Sequence, residues 1–324
     1  MSPIVRKSLP FVALALIGGV GVYVWKGGAL SSFTPTPAPP ERTHSESIKK
    51  DLPPRLAAIN DPGKPWQKRI EDFRNNLSSS CNESDLLYLY QLLAQGPPKG
   101  EAPEHWYVIA NDLMEQLCLH DPDAKRLSSA LLGILHDTKQ PEVLRDYSVQ
   151  HLATWINPHS HQGNPATPAP GPEVTAKVLD ALVTAATDPS LEKSSIPGTT
   201  LMMFINLTHS SNPVDCTEAV EKLKPWLSAA LEDGSKLSNP VRVSAVGAAG
   251  ILDPEQFRPA IRRIAYQENG QSSIQLPAIA TLGQSGQAED IEKLQKIAHT
   301  NPALAYAAKE ACKLIKSRFA HTSS

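Results

Sequence analysis

Four cysteines, ten histidines and a scatter of serines are the residues of this chain best suited to nucleophilic, redox or metal chemistry. Their spacing argues against most of it. Cys81, Cys118, Cys216 and Cys312 stand too far apart for a zinc knuckle or a CxxC redox pair. Cys81 opens an expected helix and Cys118 closes the next one. If those two helices form an antiparallel hairpin, its open end brings the thiols together. A Cys81–Cys118 disulfide is therefore expected, worth about 4 kcal/mol by the loop-entropy model and consistent with an oxidising compartment. Cys216 and Cys312 read as small buried residues. His159-Ser160-His161 lies in a long loop with no acidic or cysteine companion at ligand spacing. His120 and His136 end helices, where an imidazolium complements the dipole. A metal centre needs three or four converging ligands, so neither a metal nor a cofactor is expected. No GxSxG elbow, glycine-rich phosphate loop or HExxH pair occurs, and no residue is assigned a catalytic role. Asn76, Asn82 and Asn206 fit the glycosylation pattern, which is common by chance.

The elements that would position any site are helical. NPVRVSAVGAAGILD (239–253) lies over SSIQLPAIATLGQSG (272–286) with a shift of 33 residues, Ala245 falling on Ala278 and Gly250 on Gly283. A third copy, NPALAYAAKEACKLI, starts at Asn301 with a shift of 29, placing Ala307 under Ala278 and Cys312 under Gly283. Apolar residues recur at three- and four-residue steps, as in Leu304, Ala307, Ala308, Ala311, Leu314 and Ile315, so they share one helix face. Helices are expected at 255–267 and 288–299 between the copies. Upstream, Ile70, Phe73 and Leu77 sketch a first helix. Others follow after Asn82 or Ser84, from Pro103, at 123–136 and 141–156, and at 172–187, 197–208 and 216–232. Thirteen helices and no strand make the body all-α. A fixed period with two helices per unit marks an α-solenoid.

Pro240, Arg242, Ala245, Ala249 and Gly250 resemble the second-helix signature of HEAT repeats. Arg145 sits three residues before Ser148 as Arg242 sits before Ala245, and Pro141 opens that helix; weaker copies centre on Thr200, after Pro197, and on Ala278, where Gln275 takes the arginine's place. The resemblance is clearest over residues 239–319 and weaker over 123–238. It implies a HEAT-like solenoid and names no activity. It also implies that Arg145, Arg242 and Gln275 occupy one repeated position, at which such an arginine ties neighbouring hairpins through an acidic partner or contacts a bound protein.

The start of the chain reads as a targeting element. Residues 1–8, with Arg6 and Lys7, form a short basic segment. Leu9 to Trp25 is uninterrupted apolar sequence, about 25 Å as a helix, and Tyr23, Trp25 and Lys26 suit an interface. A membrane anchor within 9–30 is expected, or a signal peptide cleaved near Ala29-Leu30-Ser31. A retained anchor would leave the N-terminus cytoplasmic and the body outside, in the periplasm if the source is bacterial; cleavage would leave the body secreted. Residues 31–64 are rich in Pro, Thr and Ser and read as a disordered tether, followed by an N-terminal helical region (65–122) and the repeats (123–324). The net charge of -2 suggests no nucleic-acid partner. Lys309, Lys313, Lys316 and Arg318 cluster on the last helix and read as a solvated face. The expected function is a membrane-anchored extracytoplasmic scaffold that binds one or more unidentified proteins and is not an enzyme. A structural spacer of the envelope, or a HEAT-like lyase, are the rivals.

Overall fold

The computed structural model describes residues 56–322, except 57–58, 60, 62, 78–80, 158–168, 211–212 and 269. Thirteen α-helices and no strand occur among these residues. In chain order they are α1 (Trp66–Leu77), α2 (Glu83–Gln95), α3 (Pro103–His120), α4 (Ala124–His136), α5 (Glu142–Ile156), α6 (Pro172–Thr187), α7 (Ile196–His209), α8 (Thr217–Ala230), α9 (Asn239–Leu252), α10 (Pro254–Tyr266), α11 (Ser272–Ser285), α12 (Asp290–Thr300) and α13 (Ala305–Thr322).

Local chemistry sets the boundaries. Asn82 rather than Ser84 starts α2, because its side chain accepts from the Asp85 amide while the Asp85 carboxylate accepts from the Asn82 amide. That reciprocal pair satisfies two orphan donors of the first turn. Asp123 caps α4 by accepting from the Lys125 and Arg126 amides, and Asp253 caps α10 through the Gln256 amide. Pro103, Pro172, Pro197, Pro240 and Pro254 sit in first turns, where a missing N–H costs nothing. Pro141 departs from the expected first-turn position and stands one place earlier, as the cap of α5.

Packing follows the chain. Each even-numbered helix from α2 packs on the odd-numbered helix after it, and α1, α3, α5, α7, α9, α11 and α13 each pack on the next in that series. The even side is continuous from α4 through α6 to α8. Buried side chains from Leu56 to Ile315 form one connected apolar cluster between these two rows. The repeat copies meet this core as their alignment requires: Ser148, Thr200, Ala245 and Ala278 are all fully buried. In the last copy Ala308 is fully buried and Ala307 only half-buried, so the equivalent of Ala278 lies one residue later than aligned.

One expectation changes at the N-terminal side. Leu56 and Ile59, inside the stretch read as a tether, are fully buried and belong to the core. Their three-residue spacing is helical, and the Pro-rich composition around them hides it. The expected anchor at 9–30 lies outside the described residues. Among the described residues no helix is long and apolar enough to cross a membrane.

Candidate binding surface

At Arg145, Arg242 and Gln275 the repeated position has one structural job. Arg145 Nε donates to the Leu135 carbonyl at 2.8 Å, in the last turn of α4. Arg242 Nε donates to the Ala230 carbonyl at 3.4 Å and its terminal nitrogen to the Glu232 carbonyl at 3.2 Å, at the end of α8. Gln275 Nε2 donates to the Ala265 and Gln267 carbonyls at 3.5 and 2.7 Å, at the end of α10. Each side chain thus reaches back to carbonyls that the preceding helix leaves unpaired. The expected acidic partner is not the one used; the tie runs to backbone within a hairpin. Glutamine can replace arginine there because the acceptor is a carbonyl, which needs a donor and not a charge. Arg242→Ala is expected to cost about 1 kcal/mol, lowering the melting temperature by about 2–4 °C. Arg242→Gln should keep most of that, and an Arg242→Gln melt as low as the alanine variant's would refute the capping role.

The alignment did not find Arg69. It lies four residues after Pro65, as Arg145 lies four after Pro141, and its Nε donates to the Ile59 carbonyl at 2.8 Å across the same ten-residue offset. Ties between neighbouring units come from other residues. Arg262 of α10 grips Asp290 of α12 with two hydrogen bonds of 2.7 and 2.8 Å, and Tyr266 Oη donates to the same carboxylate at 2.6 Å. A second triad joins α2, α3 and α4: Arg126 donates to both oxygens of Asp121, and Tyr90 Oη donates to it at 2.5 Å. Burial works to raise each aspartate, but the arginine and tyrosine hydrogen bonds outweigh it and hold both below the usual carboxylate range.

The triad at Asp121 also explains the cysteines. Arg126 bonds Glu83, two residues past Cys81, as well as Asp121, three residues past Cys118. The open end of the α2–α3 hairpin is therefore gathered, as expected, but by a guanidinium from α4. No disulfide joins Cys81 to Cys118 in this structure. The Cys81 thiol lies 4.0 Å from the Asn82 carbonyl, and burial pushes the Cys118 thiol up to about 12. Cys216 and Cys312 are buried, as expected of small core residues.

Between the odd helices the contacts are close. A Cβ on Gly250 would lie 1.9 Å from Thr281 Cγ2, and one on Gly283 would lie 3.0 Å from Ala311 Cα. These are the two glycines the alignment superposes, and each marks where one odd helix meets the next. The opposite side of the same helices is turned away from the core. Counting from the fully buried residue of each copy, positions two before, two after and six after lie about 160–240° around the helix. They are Asp146, Gln150 and Thr154 on α5, Gly198, Met202 and Asn206 on α7, Val243, Gly247 and Ile251 on α9, and Leu276, Ala280 and Gln284 on α11. All but Thr154 and Gly247 are half-buried. The surface is polar on α5, mixed on α7 and mainly apolar on α9 and α11. Polar contacts stitch its upstream half: Asn111 to His151 Nε2 at 3.0 Å, and Asp146 and Glu142 to Ser195 at 3.2 and 2.7 Å. It is an open face. An opening of about 610 Å³ between the first turns of α4 and α6 has no ionisable lining groups beyond Asp123, Lys125 and Glu173. Among the described residues no three His, Cys, Asp or Glu side chains gather as metal ligands.

Two groups on these seams bend stability with pH in opposite senses. Burial pushes His151 down to about 4, so the folded state stays neutral while the unfolded chain takes a proton below about 6.5. Its contribution is complete above that value and lost as pH falls to about 4, on the order of 3 kcal/mol. Burial pushes Asp112 up to about 6 despite the Arg74 ion pair, so its penalty is relieved as pH falls from 6 toward 3.8. His151→Gln should therefore melt progressively higher relative to the parent as pH is lowered from 7 to about 4.5. Parallel melting curves across that range would refute it.

No family model matches the chain, and no curated protein matches it. Among solved structures it is similar to human deoxyhypusine hydroxylase in complex with glycerol, at 15% identity and a TM-score of 0.32, over 81% of this chain and 94% of that one.

Proposed function

We propose that the body is a HEAT-like α-solenoid that works as a protein-binding scaffold, held outside the cytoplasm by an anchor within residues 9–30. The observation that carries this reading is the recurrence of one donor role at Arg145, Arg242 and Gln275, each closing the helix before it. Such a cap repeats because the unit repeats, and stacked units leave one long face formed by their second helices. That face is the row from Asp146 to Gln284, with its apolar half on α9 and α11 suited to burial against a partner.

The deciding experiment places a photo-crosslinking side chain at Met202, Ile251 or Leu276 in intact cells and identifies adducts by mass spectrometry. A single stoichiometric protein captured from all three positions supports the scaffold. Capture of nothing at these positions supports a spacer in its place. The enzyme reading draws no support from the face itself, where the carboxylates Glu142 and Asp146 are occupied by Ser195.

A further inference from the structure

The last helix carries a surface that stacking does not use. Ala308, Ala311 and Ile315 bury one side of α13 against its neighbours. On the other side Tyr306, Lys309, Lys313 and Lys316 follow one another at three- and four-residue steps, forming a single stripe. Tyr306 is 70% exposed, the most open of the four large hydrophobic side chains exposed among the described residues. All three lysines are exposed. Lys309 and Lys316 make no ion pair among the described residues, and Lys313 reaches only Glu310, at 3.8 Å. Beside the stripe runs a groove of about 380 Å³ between α12 and α13, with Cys312 at its floor and Gln295 and His299 on the far wall. From residue 293 to 318 six lysines and arginines face a single acid, Glu310, in a chain whose net charge is -2. The remainder is therefore acidic, and a negative surface would attract this end and repel the rest.

We propose that α13 docks on an anionic bilayer surface, its lysine row taking phospholipid headgroups and Tyr306 entering the interface. Phosphate oxygens accept from ammonium groups in charge-assisted bonds, and the groove gives a headgroup a recess within reach of all three. Tyrosine beside lysines is a side chain that settles at headgroup depth. Tyr306 stands clear of the helix, so the stripe suits a plane better than a peptide slot, which would have to enclose that ring. Three lysines at such a surface correspond to roughly a hundredfold preference for anionic over neutral vesicles at low salt. The contact does not depend on the proposed anchor or on a protein partner.

Lysine acetylation read by mass spectrometry tests this on the full-length protein. An N-terminal insertion would bind any vesicle, so the readout is taken at each lysine. The protein is mixed with vesicles of phosphatidylcholine alone, or with about one-third phosphatidylglycerol, and pulsed with acetylating reagent. Exposed Lys177 and Lys236 serve as internal references. Labelling of Lys309, Lys313 and Lys316 is expected to fall severalfold only with anionic vesicles, and to recover at about 0.5 M salt. The variant K309E/K313E/K316E, altered only at exposed positions, should lose the anionic preference in flotation. Equal labelling in both vesicle types overturns the proposal. So does protection by polyglutamate without protection by anionic vesicles, which would assign the stripe to an acidic protein.

Discussion

Gly250→Ala is expected to lower the melting temperature by roughly 6–12 °C, against the usual sign of that substitution. In an exposed helix interior, alanine in place of glycine stabilises by about 0.8–1 kcal/mol. At position 250 the added methyl would meet Thr281 Cγ2 at 1.9 Å and Ile261 Cδ1 at 2.7 Å. Both neighbours are themselves buried, on α11 and α10, so neither can swing into solvent. Overpacking of this kind costs about 3 kcal/mol, and a body of this size loses about 2–4 °C per kcal/mol. Relief should come from the other side of the contact. Thr281→Ala removes the clashing methyl together with a buried hydroxyl that has no hydrogen-bond partner. The double variant should therefore be more stable than Gly250→Ala alone, with a coupling above about 1 kcal/mol. A stabilised Gly250→Ala would mean that α9 and α11 do not approach as described, and the link between the repeated glycines and helix stacking would fail with it.

That contact was half visible beforehand. The superposition of Gly250 on Gly283 was legible in the amino-acid order, and so were the thirteen helices, because periodicity and capping are local. Asn82, Asp123 and Pro103 announce helix starts within three or four residues of themselves. The partners were not legible wherever they came from another unit. Arg126 closes the α2–α3 hairpin from outside it, so reasoning confined to the two helices offered Cys81 and Cys118 as the natural clasp. Gln275 already held the information that the repeated position does not need a charge. Read against Arg242 as a shared donor, it would have pointed to a carbonyl acceptor and away from an acid. Leu56 and Ile59 were hidden by composition, since two apolar residues among prolines and charges carry too little pattern to announce a buried turn.

Arg69→Met should be the most destabilising change at a polar position, costing about 3–5 kcal/mol. Arg69 is 2% exposed, and its guanidinium bonds both the Ile59 carbonyl and the Glu101 carboxylate. Glu101 has a side chain only 6% exposed, and beside Arg69 its one other basic neighbour among the described residues is the His105 imidazole, at 3.4 Å. Methionine fills much of the arginine's volume, so the loss would come mainly from leaving a buried carboxylate without its cation. Changing both members separates that cost from packing. Arg69→Met combined with Glu101→Gln removes the two charges together, and should recover at least half of the stability lost in the single variant, because a buried ion pair replaced by neutral groups is often close to neutral. Chemical denaturation at neutral pH reads both differences directly. If the double variant is as unstable as the single one, the pair is not what holds Ile59 and α1 to the front of α3, and the damage lies in the lost bond to Ile59. The pair links residues 32 apart in the chain. Its failure should therefore loosen the first helices while leaving α9 to α13 protected in hydrogen exchange, as expected of units that lean chiefly on their neighbours.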